Sequence, residues 1–349
     1  MKEDFVGLPE AVLPWYEKNR RDLPWRRDRE PYHVWLSEIM LQQTRVEAVK
    51  GYYARFLEAL PTIRDLANCP EDRLQKLWEG LGYYSRVRNL QKAARVICET
   101  YGGIFPHTYE EVRALPGVGP YTAGAICSIV YEMPTPAVDG NVLRVGARLW
   151  DDPTPVDDPA QREKMRAALA AVYPRGRCGD LTQALMELGA TVCLPNGAPR
   201  CESCPAQTLC LGYAKGTARS LPVKAPKREK RQEDRTVFVF RREGEYALRK
   251  RAGRGLLAGM WEFPNVEGHL DPEAALAQAA AWGLRPKDLG RVVERDHVFT
   301  HIIWKLRCYY LDCGGAGEDF TWFTGDRITQ KAALPTAFRQ FWIIEQEQE

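Results

Sequence analysis

Apolar positions recur every three to four residues through roughly the first two hundred residues and every second residue after about 235, which predicts a helical half followed by one built on strands. Residues 8–20 read as a first amphipathic helix. A second spans 32–60, with Val34, Trp35, Ile39, Val46 and Val49 at helical spacings and Pro61 as its stop. Shorter helices follow around Asp65, over 72–78 and over 87–99, with Gly80-Leu-Gly-Tyr-Tyr84 between the last two. Thr108 and Glu111 form a capping box for a helix over 108–115, and Pro120 opens the next at a first-turn position where its missing N–H costs nothing. Helices over 141–150, 159–172 and 181–193 complete an all-α domain assigned to residues 1–215. Beyond it, 236–241 and 246–250 alternate as a hairpin around Glu243-Gly244-Glu245. An alanine-rich helix runs from Asp271 or Pro272 to Trp282, strands follow over 291–296, 302–311 and 320–323, and a helix closes the chain near Ala337. Residues 235–349 thus form a smaller α+β domain. Between the two lies a basic, extended linker over 216–234. The stretch 215–235 carries eight Lys or Arg against three Asp or Glu, with Pro222 and Pro226 and few large apolar residues.

A length of 349 residues is consistent with two domains, each large enough for its own core. Hydrophobic residues make up 45% and charged residues 27%, a globular composition, and no apolar run approaches the ~20 residues of a membrane span. The N-terminus has no apolar signal segment, so a cytoplasmic protein with no membrane partner is expected. Ten cysteines in a reducing compartment argue against a disulfide framework, and where they cluster they point to metal.

Four features carry chemistry. Leu115-Pro-Gly-Val-Gly-Pro-Tyr121 is a glycine hairpin at a helix N-terminus, where free backbone N–H groups and the dipole suit a phosphate, unless it is only a turn between packed helices. Cys193, Cys201, Cys204 and Cys210 lie within 18 residues at C-x7-C-x2-C-x5-C spacing, which fits a tetrahedral metal or an iron–sulfur cluster. Zinc usually shows two C-x2-C knuckles, and only one is present. Glu38 stands among Trp35, Ile39 and Leu41. Desolvation there would favour its protonated form and suit a general acid, whereas on an open helix face it would be an ordinary solvated glutamate. Asp139, in Ala137-Val-Asp-Gly-Asn141, makes a helix N-cap whatever else it does.

Taken with Leu23-Pro-Trp-Arg26, Ser37-Glu-Ile-Met-Leu-Gln-Gln-Thr-Arg45 and Glu79-Gly-Leu-Gly-Tyr-Tyr-Ser-Arg86, these strings resemble the MutY family of adenine DNA glycosylases, part of the helix-hairpin-helix superfamily that includes endonuclease III. The resemblance covers essentially the whole chain. It implies an enzyme of base excision repair, a monomer acting on double-stranded DNA in the bacterial nucleoid. Such an enzyme flips an adenine mispaired with 8-oxoguanine or guanine and hydrolyses its N-glycosidic bond. By position, Glu38 is the acid for adenine N7, Asp139 the carboxylate that stabilises the cationic sugar, and Tyr121 and Asn141 neighbours of that sugar. Arg26, Gln43 and Gln183 line the adenine pocket. Gly117, Val118 and Gly119 hold the DNA backbone, and Tyr83 wedges beside 8-oxoguanine. The four cysteines hold a [4Fe–4S] cluster, with one more residue after Cys193 than the family usually has. Bifunctional relatives carry a lysine where Tyr121 stands, so monofunctional hydrolysis is implied. The C-terminal half resembles a MutT-like (Nudix-like) domain that has lost its Mg²⁺ carboxylates, since only Glu273 stands in the corresponding helix. Phe299, Thr300 and His301 match the family's Phe-Ser-His loop for 8-oxoguanine.

Overall fold

The computed structural model describes residues 5–226, 229–317 and 319–347. In chain order the helices are α1 Leu8–Asn19, α2 Pro31–Leu41, α3 Val46–Ala59, α4 Ile63–Asn68, α5 Glu71–Leu77, α6 Ser85–Thr100, α7 Tyr109–Ala114, α8 Pro120–Tyr131, α9 Gly140–Trp150, α10 Pro159–Ala170, α11 Cys178–Thr191, α12 Leu211–Ala214, α13 Pro272–Ala281, α14 Gly325–Lys331 and α15 Thr336–Gln346. The chain forms two compact units, residues 1–68 with 85–226 and residues 69–84 with 227–349.

The first unit is helical throughout its described residues. Part of its core lies between α1, α9 and α11, where Val12 and Tyr16 meet Leu143, Val145, Leu181, Leu185 and Leu188. The last three follow one another at four and three residues, so one face of α11 is apolar. Each fully buried leucine contributes about 1.5–3 kcal/mol. Asp139 caps α9 and Thr108 caps α7 through their side chains, as their positions in sequence predict.

The helix expected over 32–60 is instead two, broken at residues 42–45. The cause lies on α6. Buried Arg86 donates through Nη1 to the carbonyls of Ile39 (2.8 Å), Met40 (3.0 Å) and Gln42 (2.6 Å). A charged donor outcompetes the backbone N–H groups that would have continued the helix. Gln43 turns the chain with φ +58°, a conformation rare outside glycine.

In the second unit the strands are β1 Arg231–Arg242, β2 Glu245–Lys250, β3 Trp261–Glu262, β4 Asn265–Glu267, β5 Pro286–Val298, β6 Ile302–Cys313 and β7 Thr321–Thr324. They form one sheet in the order β3-β2-β1-β6-β5, with β4 on β1 and β7 on β2. Among the described residues only β1 and β6 pair in parallel, from Arg231 opposite Ile302 to Arg241 opposite Asp312. Alternation along β1 sorts the two faces. Val237 and Val239 pack with Phe338, Phe341 and Trp342 of α15, while Phe238 and Phe240 pack with Ala275 and Ala279 of α13.

Here too the structure amends the sequence reading. β1 begins at Arg231, inside the stretch assigned to the linker, because β6 supplies a partner strand. The short β3 and β4, and α14, carry too few residues to show a period. Residues 69–84 bind to this unit: Glu79 Oε1 accepts from the Leu334 N–H at 2.9 Å, and Lys76 Nζ donates to the Ala332 carbonyl at 3.3 Å.

Candidate active site

A cavity of about 960 Å³ opens in the helical unit, and Glu38, Tyr121, Asp139, Asn141, Arg26, Gln43 and Gln183 all line it. Glu38 comes from the last turns of α2 and is only 6% exposed. Tyr121, in the first turn of α8, donates its hydroxyl to Glu38 Oε2 at 2.6 Å. Burial pushes the Glu38 carboxyl up to about 7; the nearby Asp139 charge adds to the rise, while the Tyr121 bond and the Arg26 charge oppose it. A carboxylic acid near neutrality can give up its proton at the pH where the protein works. Burial holds the Tyr121 phenol well above its ordinary range, so it remains a donor.

Asp139 reaches the same cavity from the N-cap of α9. Its Oδ1 accepts the Val142 N–H at 2.8 Å and its Oδ2 accepts Asn141 Nδ2 at 2.8 Å. Burial raises its carboxyl above the usual range against the pull of these bonds and of Arg144. Arg144 then ties Asn141 to the rest of the unit: Nη2 donates to Asn141 Oδ1 (2.8 Å) and the Gly189 carbonyl (2.7 Å), and Nε to the Cys193 carbonyl (2.8 Å).

The hairpin lies beside this cavity, with Gly117 and Gly119 in its lining. Gly117 has φ +77°, and a Cβ there would come within 2.6 Å of Asn89, so glycine is required. Gly119, the N-cap of α8, has an ordinary φ of −88°, and a Cβ on it would meet nothing. Its smallness leaves open space at the helix start and relieves no strain. Val118 is buried and anchors the turn through its N–H to the Leu115 carbonyl at 3.0 Å.

Cys193, Cys201, Cys204 and Cys210 line one small cavity of their own, and the one-residue-longer spacing does not separate them. Arg148 donates through Nη1 to Cys193 Sγ at 3.1 Å. Among the described residues no group of three His, Cys, Asp or Glu side chains is arranged to hold a single metal ion. Four thiols around one shared hollow, with a guanidinium donating to sulfur, suit a metal group held by thiolates.

Tyr83, Phe299, Thr300 and His301 belong to the second unit. Phe299–His301 joins β5 to β6. The Phe299 N–H donates to the Ile302 carbonyl at 2.8 Å, and its own carbonyl accepts from Lys230 Nζ at 2.8 Å. Its ring packs edge-on against His297 (4.5 Å) and Trp304 (4.8 Å). Tyr83 Oη and Thr300 Oγ1 are 3.0 Å apart. Within α13 the only carboxylate is Glu273.

Sequence reasoning passed over Glu187, Arg144 and Arg86. Glu187 lies four residues after Gln183 and Arg144 three after Asn141, the offsets that share a helix face.

The hairpin, the acid-bearing cavity and the all-helical frame together define a base excision DNA glycosylase of the helix-hairpin-helix kind. Residues 36–174 match the HhH-GPD superfamily of base excision DNA repair proteins, and residues 236–343 match the NUDIX domain. The helical unit is similar to a thermostable thymine-DNA glycosylase, with a TM-score of 0.53 and 30% identity over 60% of this chain and 95% of that one. Along the whole chain, the adenine DNA glycosylase of rat is 36% identical, with 99% of this chain and 79% of the relative covered. The human adenine DNA glycosylase is 35% identical over 97% and 74%. The chain belongs to the adenine DNA glycosylase family.

Proposed function

We propose that this glycosylase hydrolyses the N-glycosidic bond of adenine mispaired with 8-oxoguanine, and of adenine opposite guanine, in double-stranded DNA. The observation that carries the reading is the buried Glu38, held by Tyr121 and sharing its cavity with Asp139. The flipped adenine enters this cavity among Arg26, Gln43 and Gln183. Glu38 gives its proton to adenine N7, and the bond from N9 to C1′ breaks with its electron pair going to the base. Asp139 faces the positive charge that develops on the sugar, oriented by Asn141. Water then supplies the hydroxyl on C1′ and the proton that restores Glu38. No amine stands at Tyr121, so the reaction ends at the abasic site.

Gly117, Val118 and Gly119 form the turn that grips the DNA backbone where α8 begins, a contact that positions without reading sequence. The four cysteines hold a [4Fe–4S] cluster, whose part is to brace the loop after α11. The second unit reads 8-oxoguanine through Tyr83, Phe299, Thr300 and His301 and performs no hydrolysis. α13 carries the single carboxylate Glu273, where Mg²⁺ requires several hard oxygen ligands. One chain acts on one mispair, on the DNA of the nucleoid.

The test is incubation with duplexes carrying adenine opposite 8-oxoguanine, opposite guanine and opposite thymine, followed by alkali. Strand cleavage after alkali on the first two, and little on the third, is expected. Release of another base and retention of adenine would overturn the reading.

A further inference from the structure

Beneath the adenine cavity, one turn along α11 from Gln183, lies a carboxylate that does not touch the cavity at all. Glu187 is fully buried. Its Oε1 accepts from Arg21 Nε at 2.6 Å and from the Arg21 backbone N–H at 3.3 Å; its Oε2 accepts from Arg21 Nη2 at 3.0 Å and from Arg26 Nη2 at 2.8 Å. Arg26 Nη1 closes the arrangement by donating to the Arg21 carbonyl at 3.3 Å. Of the three groups Arg21 and Arg26 both line the cavity where the base is proposed to sit; the Arg26 side chain is the more enclosed, 12% exposed against 38% for Arg21.

An unpaired charge in such a place would be costly, so the three groups exist as a unit. With one Nη committed to Glu187 and the other to a carbonyl, the guanidinium cannot rotate, and its plane is set before any base arrives. The same contact places a negative charge against the positive one nearest the acid. The charged or titratable groups that bear on Glu38 are Tyr121, Asp139 and Arg26. The Tyr121 bond and the Arg26 charge both favour the ionised, inactive form, and a neutral partner in place of Glu187 would leave the Arg26 influence unopposed.

We propose that Glu187 is the positioning residue of the base cavity: through Arg26 it fixes the guanidinium edge offered to the flipped base. This rests on the adenine reading above, and its failure can be told apart. Wild-type protein that releases no adenine would defeat that reading, whereas wild-type release with indifferent Glu187 variants would defeat only this one.

The experiment is single-turnover excision from an 8-oxoguanine:adenine duplex across pH 5 to 9, with duplex affinity measured alongside. For Glu187→Gln we expect unchanged affinity, excision at neutral pH slower by about 10- to 100-fold, and an alkaline limb displaced to lower pH. Glu187→Gln added to Arg26→Met should cost less than Glu187→Gln does alone, since part of its effect passes through Arg26. A wild-type rate and limb for Glu187→Gln would overturn the proposal, as would losses that simply multiply in the double variant. Should the Gln variant fail to fold, Glu187→Asp keeps the charge and shortens the reach. A slower rate with the limb in place is expected, and full activity would overturn the geometric claim.

Discussion

Tyr83 and Thr300, 217 residues apart in the chain, join hydroxyl to hydroxyl at 3.0 Å. Tyr83 is 46% exposed and holds φ +48°. Backbone geometry and this bond both help to place its ring. A neutral hydrogen bond contributes about 0.5–1.5 kcal/mol net. Thr300→Ala with His301→Ala should therefore narrow the preference for 8-oxoguanine:adenine over guanine:adenine by roughly 2- to 13-fold per bond lost. Excision itself should persist, since Glu38 and Asp139 belong to the other unit. Single-turnover rates on both duplexes give the ratio, and an unchanged ratio would place discrimination outside the loop.

Glu38→Gln should retain duplex affinity and lose adenine release, because an amide cannot protonate N7 while most phosphate contacts lie elsewhere. Native excision should fall as pH rises through about 7, where Glu38 loses its proton. Stability should follow the same sign. A carboxyl raised by folding binds its proton more tightly in the native state, so stability is full below its ordinary value near 4.5 and declines up to about 7. At pH 8 the Gln variant should accordingly be more stable than the parent, by up to about 3 kcal/mol. Denaturant melts at pH 5 and pH 8 measure this, and a variant no more stable at pH 8 than at pH 5, relative to the parent, would contradict the burial argument.

Purified protein should be brown and carry about four irons per chain. Cys201→Ser or Cys204→Ser should lower iron content and expose the loop after α11 to protease. Stoichiometric zinc in colourless, anaerobically prepared protein would replace the cluster with a single-ion site.

Abasic product should stay intact until alkali or heat is added. Tyr121 supplies no amine for a Schiff base, and its phenol is held protonated against Glu38. Borohydride trapping of the enzyme on abasic DNA with the efficiency of a lyase would refute monofunctional hydrolysis.

The change of period near residue 235 was enough to separate a helical unit from a sheet, because each half buries one face along most of its elements. What escaped is instructive. The break at residues 42–45 contains no proline or glycine; it exists because Arg86, distant in sequence, takes three carbonyls. β3 and β4 are two and three residues long, too short for any period. The residues gathered around the main cavity were legible as strings with a known resemblance. Glu187 and Arg144 were not, because on a helix in isolation each reads as a solvated charge, and only the fold shows what it faces.

Residues 69–84 belong with residues 227–349. The unit that holds Thr300 is therefore assembled from two distant pieces of chain. A protease cut or a gene break in the basic stretch near residue 226 would divide it between fragments, leaving Tyr83 on one and Thr300 on the other. Neither half could be exchanged with a relative's as a self-sufficient module. During synthesis, α5 and Tyr83 leave the ribosome long before the strands they dock on. The second unit is completed last, after the helical unit has already been made.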